Sequence, residues 1–259
     1  MPLRKLTSAV SLSMLLSAPA IALADPAPPP PPMGVWTGKG QLGFLASQGN
    51  SQAQSANAAL DMGLLEGSWK HVLHLDGFYG KSADVVAAER WDAQWQSNYN
   101  FSKDLFTFGS LLYQHDLFSG FQYQGSATAG IGYQLFNSSS TKLSVQAGAG
   151  DRDERPEQLN KNSAGAVIAR IPQARNNEVI ATGGLNYTQQ LTASTSLSDT
   201  ALVEGGASNT LITDALALAV KISTKLALSL GYDLQDNTSP PVHLKKVNTT
   251  ETVNLVYSF

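Results

Sequence analysis

The feature that most constrains this chain is strand-like alternation, and it is cleanest in the last eleven residues, Thr249 to Phe259. Glu251, Val253, Leu255, Tyr257 and Phe259 fall on one side of an extended strand. Thr250, Thr252, Asn254, Val256 and Ser258 fall on the other, because strand side chains alternate with period 2. A soluble edge strand is normally blunted by charge, proline or a cover. An apolar-out strand ending on Phe259 instead suits a barrel whose last strand closes against its first, facing lipid. An amphipathic strand of a soluble sandwich is the competing reading.

The same alternation recurs from Val35 onward, with no sustained helical stripe. Trp91, Ala93, Trp95 and Tyr99 oppose Arg90, Asp92, Gln94, Gln96 and Asn98. Phe106 and Phe108 break the rule, since they fall on the face opposite Leu105, Leu111 and Tyr113. The stretches Thr195 to Glu204 and Thr210 to Ile222 blur it. The count comes to about twelve strands, an even number as bacterial single-chain barrels require. With the amino terminus on the periplasmic side, the links at EGS, FSKD, NSSST, TAS and ST fall there and are short. SQGNS, Gly80 to Val86, DLFSGFQ, Arg152 to Asn177, GGAS and Asp236 to Lys246 fall on the outer side. The longest irregular stretch expected is Arg152 to Asn177. Aromatics sort to the two strand ends of the apolar face, Trp36, Trp69, Tyr99, Tyr133 and Tyr187 at one and Phe44, Tyr79, Trp91, Tyr113 and Tyr232 at the other, as membrane interfaces select. The expected fold is all-β, a transmembrane up-and-down antiparallel β-barrel over residues 35–259.

The amino terminus carries Arg4 and Lys5, an apolar run from Leu6 to Ala18 and the small-residue site Ala22-Leu23-Ala24. This predicts a cleaved signal peptide over residues 1–24 and export. Residues 25–34, with Pro26 and the run Pro28 to Pro32, favour polyproline II and predict a periplasmic linker. A ligand for a proline-recognising groove is the other reading of that run. The chain has no cysteine and a formal net charge of −3, which excludes a disulfide framework and argues against a nucleic-acid partner. Beyond the leader no apolar run approaches the ~18 residues of a membrane helix.

The terminal VNLVYSF resembles the carboxy-terminal sorting strand of bacterial outer-membrane barrels. That resemblance implies recognition of Val253, Leu255, Tyr257 and Phe259 by the barrel-assembly machinery. WTGKGQLGFLASQGNSQ, GSWKHVLHLDGFYG, AERWDAQWQSNYNFSKDLFTFGSLLYQHDLFSG, TAGIGYQLF and VNLVYSF together resemble the salt-induced outer-membrane protein family, exported proteins whose domain carries an unknown-function label. The family implies a barrel in the outer membrane of a Gram-negative bacterium, surrounded by its lipid, with no settled activity and no established catalytic residues.

No P-loop, GxSxG or HExxH occurs, so no enzyme, cofactor or metal site is expected. His71 and His74 fall on opposite strand faces, a poor geometry for sharing a metal. A lipid-modifying enzyme would need a Ser and a His in hydrogen-bond reach on the lipid-facing surface. His71 is the histidine placed there, and the sequence identifies no serine partner for it. Asp61, Lys70, His74, Asp76, Arg90, Asp92, Asp214 and Asp233 are predicted to line the lumen. They form either a charge-tuned path for ions or small solutes, linked to salt or envelope stress, or an interior closed by paired charges. A structural or surface-interaction barrel acting through its outer loops is the alternative function, with Arg152 to Asn177 as a mouth constriction, a polysaccharide binder or a solvated loop.

Overall fold

A computed structural model describes residues 34–47, 53–83, 85–163, 167–241 and 244–259. The leader and nearly all of the proline-rich segment, as well as His243, lie outside the described residues. Among those described, no helix is long and apolar enough to cross a membrane. The chain runs instead through β1 (Val35–Ser47), β2 (Ala53–Glu66), β3 (Trp69–Ser82), β4 (Val85–Asn100), β5 (Leu105–Asp116), β6 (Phe121–Asn137) and β7 (Thr141–Lys161). It continues through β8 (Val167–Pro172), β9 (Asn176–Gln190), β10 (Thr195–Gly206), β11 (Thr210–Lys221), β12 (Leu226–Asn237) and β13 (Val247–Ser258).

Twelve of these strands form a closed antiparallel barrel. Each pairs with its sequence neighbour, except that β7 pairs with β9 across the excursion of β8. Closure is made by β13 on β1, with Gly40 opposite Tyr257 and Leu42 opposite Leu255. Gly38 and Phe259 exchange two backbone hydrogen bonds of 3.1 and 3.0 Å, so the last residue is tied into the seam.

The alternation sorts the two faces. Leu42, Phe44, Leu111, Ile131, Val179, Leu230 and Val253 stand exposed on the outside. In water such a continuous apolar surface would be a liability; around a barrel it is the face that meets lipid. Tyr113 stacks between Trp91 and Tyr123 at ring separations of 5.2 and 6.0 Å, and Tyr99 packs edge-on to Trp69 at 5.0 Å. These clusters mark the two rims. Few apolar side chains are buried, among them Phe106, Phe108, Phe121, Ile180 and Leu211.

Two expectations change. Arg152 to Asn177 is not an irregular link. β7 runs on to Lys161, pairing with β6 as far as Pro156 and with β9 as far as Glu154, and its tip then pairs with β8. Polar residues hid these strands because they rise above the lipid band, where alternation no longer has an apolar side. The link from Gly80 to Val86 is also tighter than its composition suggests, since β3 reaches Ser82 and β4 begins at Val85. Ala83 turns there with φ of 47°.

The apparent break at Phe106 and Phe108 has a steric cause. Both rings point inward over glycines on β6 and β7: a Cβ on Gly132 would come within 2.1 Å of the Phe106 ring, and one on Gly130 within 2.8 Å of Phe108. The glycines make a floor on which the rings lie, which buries aromatic surface inside an otherwise polar lumen. Gly150 meets backbone instead, since its Cβ would sit 2.0 Å from the Ala127 carbonyl oxygen. Gly150→Ala should therefore destabilise the barrel by roughly 1–3 kcal/mol as overpacking. Gly40→Ala, with open space around the site, should change stability by less than about 0.5 kcal/mol. Urea midpoints of the heat-modifiable band on cold gels check the pair; equal midpoints would contradict this packing.

Candidate functional site

The inward faces enclose a cavity of about 600 Å³. Its wall is dominated by carboxamides and hydroxyls, including Gln41, Asn57, Gln94, Gln96, Asn98 and Gln146. Asn57 donates to Asn254 at 2.8 Å, over the bare backbone of Gly43 beside the seam.

Charged side chains concentrate on β2, β3, β4 and β12, and Asp61, Lys70, His74, Asp76, Arg90, Asp92 and Asp233 all border the cavity. The strand register explains the grouping. Asp61 lies opposite His74, and Asp76 lies opposite Asp92. His74 Nδ1–H donates to Asp61 at 2.7 Å, while its Nε2 lies 4.0 Å from Asp92. Lys39 Nζ reaches Asp61 at 3.2 Å, and Arg90 stands 4.0 Å from Asp233 and over the Phe78 ring. The facing pair Asp76–Asp92 is a like-charge contact of the kind that weakens a sheet. It is bearable because His74 and Arg90 stand beside it.

Asp214 is corrected. It borders the cavity, yet the register aligns it with Ala201 and Leu234, on the face that carries Leu216 and Leu218 outward. Asp199 shares that outward face, opposite Leu216. The weak alternation of β10 and β11 left the parity of both aspartates unmarked in the sequence. Lys142 was the opposite omission: its neighbour Leu143 marks the outward face, so Lys142 faces in.

The outer end is largely roofed. Arg152 is 1% exposed and binds Glu178, the Asn209 carbonyl at 2.8 Å and the Glu204 carbonyl at 3.4 Å, with Glu154 at 3.7 Å. Arg170 pairs with Glu157 at 2.6 Å, donates to the Leu117 carbonyl and covers the Phe118 ring. Gly120, at φ of 78°, lies so close to Leu244 and Pro241 that a Cβ there would clash with both. The β5–β6, β7–β8 and β12–β13 connections thus meet over the mouth.

On the lipid-facing side His71 Nδ1 lies 2.8 Å from Ser97 Oγ, the serine partner that the sequence did not reveal. The two residues face each other across β3 and β4, and the signal was the matching register of two outward positions. Trp95 Nε1–H donates to the same Oγ at 2.9 Å, and Trp69 stacks on His71. Among the described residues no carboxylate or carboxamide is hydrogen-bonded to His71, and the neighbouring strand N–H groups are committed to the sheet. Three polar groups at the rim satisfy one another here. No group of three or more His, Asp or Glu among the described residues is placed to hold a metal ion.

Residues 40–259 match the family described as "Protein of unknown function, DUF481", and the chain belongs to that family. No match was found among curated proteins. Among solved structures the chain is similar to the NanC porin, at 9% identity and a TM-score of 0.47, covering 86% of this chain and 98% of that one. It is also similar to the translocator domain of the autotransporter NalP from Neisseria meningitidis, at 14% identity and a TM-score of 0.42, over 88% of this chain and 89% of that one. The KdgM porin follows at 8% identity and a TM-score of 0.41, over 87% and 99%. The barrel rests on its own closed hydrogen-bonding, not on these likenesses.

Removing one partner of a buried ion network leaves the others uncompensated, at roughly 3–5 kcal/mol. Arg152→Met should therefore lower the urea midpoint strongly, whereas Arg175→Gln, which breaks only the exposed pair with Asp153, should leave it unchanged. Equal effects would contradict the central role of Arg152 in the outer mouth.

Proposed function

We propose that this member of the DUF481 family is a narrow, roofed pore in the outer membrane of a Gram-negative bacterium, passing ions or small solutes under salt or envelope stress. The observation that carries this reading is the cavity of about 600 Å³ lined by polar and charged side chains. Eight-stranded barrels are filled by their own side chains and much larger ones leave open channels, so twelve strands leave room for a small path. A signal peptide over residues 1–24 would export the chain, and Val253, Leu255, Tyr257 and Phe259 would present the closing strand to the assembly machinery. The stress link comes from the family resemblance alone.

The test is single-channel recording of the refolded mature chain in planar bilayers at two salt concentrations. Steady openings that scale with salt are expected. Asp76→Asn should lower cation preference and Arg90→Gln should raise it, read as shifts of reversal potential in a salt gradient. A correctly inserted but silent barrel would overturn the proposal.

A second reading, a surface-interaction barrel, is favoured by one observation: Ile168 and Ile171 on β8 are exposed above the membrane band. Deleting the β7–β8 tip should then abolish a surface-binding phenotype and leave conductance intact. The Ser97–His71 contact is what favours the more distant reading of a lipid-modifying enzyme. It lacks a group orienting the histidine and donors for an oxyanion, which nucleophilic catalysis requires. Labelling of Ser97 by an active-serine reagent would support it.

A further inference from the structure

The lumenal charges are segregated along the axis. The carboxylates Asp61, Asp76, Asp92 and Asp233 occupy its middle and outer part, balanced incompletely by Lys39, Arg90 and His74. The periplasmic mouth carries amines. Lys70 is the second residue of β3 and Lys142 the second residue of β7; Lys70 borders the cavity and Lys142 lies opposite Thr188 on the inward face of β9. Lys221 ends β11 on the inward face set by Ala217 and Ala219. Among the described residues Lys70, Lys142 and Lys221 have no ion-pair partner, whereas Lys39 is engaged by Asp61. The acids near this mouth do not neutralise them. Glu66 lies opposite Trp69 on the outward face, and Asp104 sits in the β4–β5 turn beside Lys103 at 4.0 Å.

Lys70 and Asp76 are six residues apart on β3, or about 20 Å along a strand rising ~3.3 Å per residue. That is about two Debye lengths at 0.1 M salt. The nearer Asp61, opposite His74 and so about 13 Å along the strand from Lys70, is held by Lys39 and His74, so the two charge zones act as separate fields.

We propose that the lumen is a bipolar selectivity path, in which Lys70 and Lys142 are specificity-determining residues that make conduction directional. The proposal rests on the pore reading. With the outer side positive, cations enter through the carboxylate zone and anions through the amine zone, and both accumulate where the zones meet. With the opposite polarity each ion must first cross the zone of its own sign, and the path is depleted. Current is therefore larger when the outer side is positive, and narrow walls of fixed charge strengthen the effect. At about 1 M salt the Debye length falls to ~3 Å and the asymmetry fades.

The test is current measured at equal and opposite voltages on full barrels inserted in one orientation, with that orientation assigned by protease cleavage of an outer connection. At about 0.1 M KCl the ratio of the two currents should be at least about twofold, and it should approach one at about 1 M. The double variant K70Q/K142Q should still open, with a changed conductance, but lose the asymmetry and become more cation-selective. Symmetric currents at low salt in the wild type, or unchanged asymmetry in the double variant, would overturn the bipolar path while leaving the pore reading intact. A silent barrel would overturn both.

Discussion

Everything in this structure depends on the closure of β13 against β1. A strand edge left open in lipid would strand its N–H and C=O groups where no water can satisfy them, at several kcal/mol for each group. Closing the circle removes both edges at once, and the apolar outer face then replaces the buried core of a soluble domain. The described residues accordingly bury few apolar side chains, and the large ones, from Trp36 to Phe259, stand outside. The reciprocal hydrogen bonds of Gly38 with Phe259 bring the end of the chain into that seam.

Closure also fixes the chemistry of the interior. Once one face of every strand is committed to lipid, the other carries whatever polar residues alternate with it, and the register brings them together. Asp76 faces Asp92, and His74 meets Asp61, because β2, β3 and β4 pair in one particular alignment. The interior is divided by size as well as charge. Glycines on β6 and β7 admit Phe106 and Phe108, and the Arg152 network fills the outer end on that side. The remaining space is bordered by nearly every barrel strand, and its charges gather on β2, β3, β4 and β12.

Much of this was legible in the sequence, for a physical reason. Lipid on one side and water on the other force a period of two, so the strand count and the inward set on β2, β3, β4 and β12 follow from alternation. Legibility fails where that forcing is relaxed. Beyond the rim β7 and β8 need no apolar face, so the strands within residues 152–177 read as a loop. On β10 and β11 apolar residues stand on both faces, and Asp214 was assigned the wrong side. The contact of His71 with Ser97 depends on register between two strands, which no single strand encodes. The inward rings of Phe106 and Phe108 depend on Gly132 and Gly130, which only the register sets opposite them on the next strand. Lys142 was readable from its neighbour Leu143, but a lone lysine beside a turn carries the look of a solvated end.

The claim on which the account stands is the seam itself, and the absence of native cysteine allows it to be measured directly. Leu42 and Leu255 face each other across β1 and β13 on the outer surface. Directly opposed antiparallel positions have Cα separations of about 4.5–5.5 Å, within the range that a disulfide spans. A chain carrying L42C and L255C, oxidised after folding, should form an intramolecular crosslink that joins the first and last strands and keeps the barrel from opening on heating. The control pair L42C and V253C, two residues off this register, should crosslink poorly. Crosslinking of the control in preference to the matched pair, or only between separate chains, would contradict the closed twelve-stranded barrel described above.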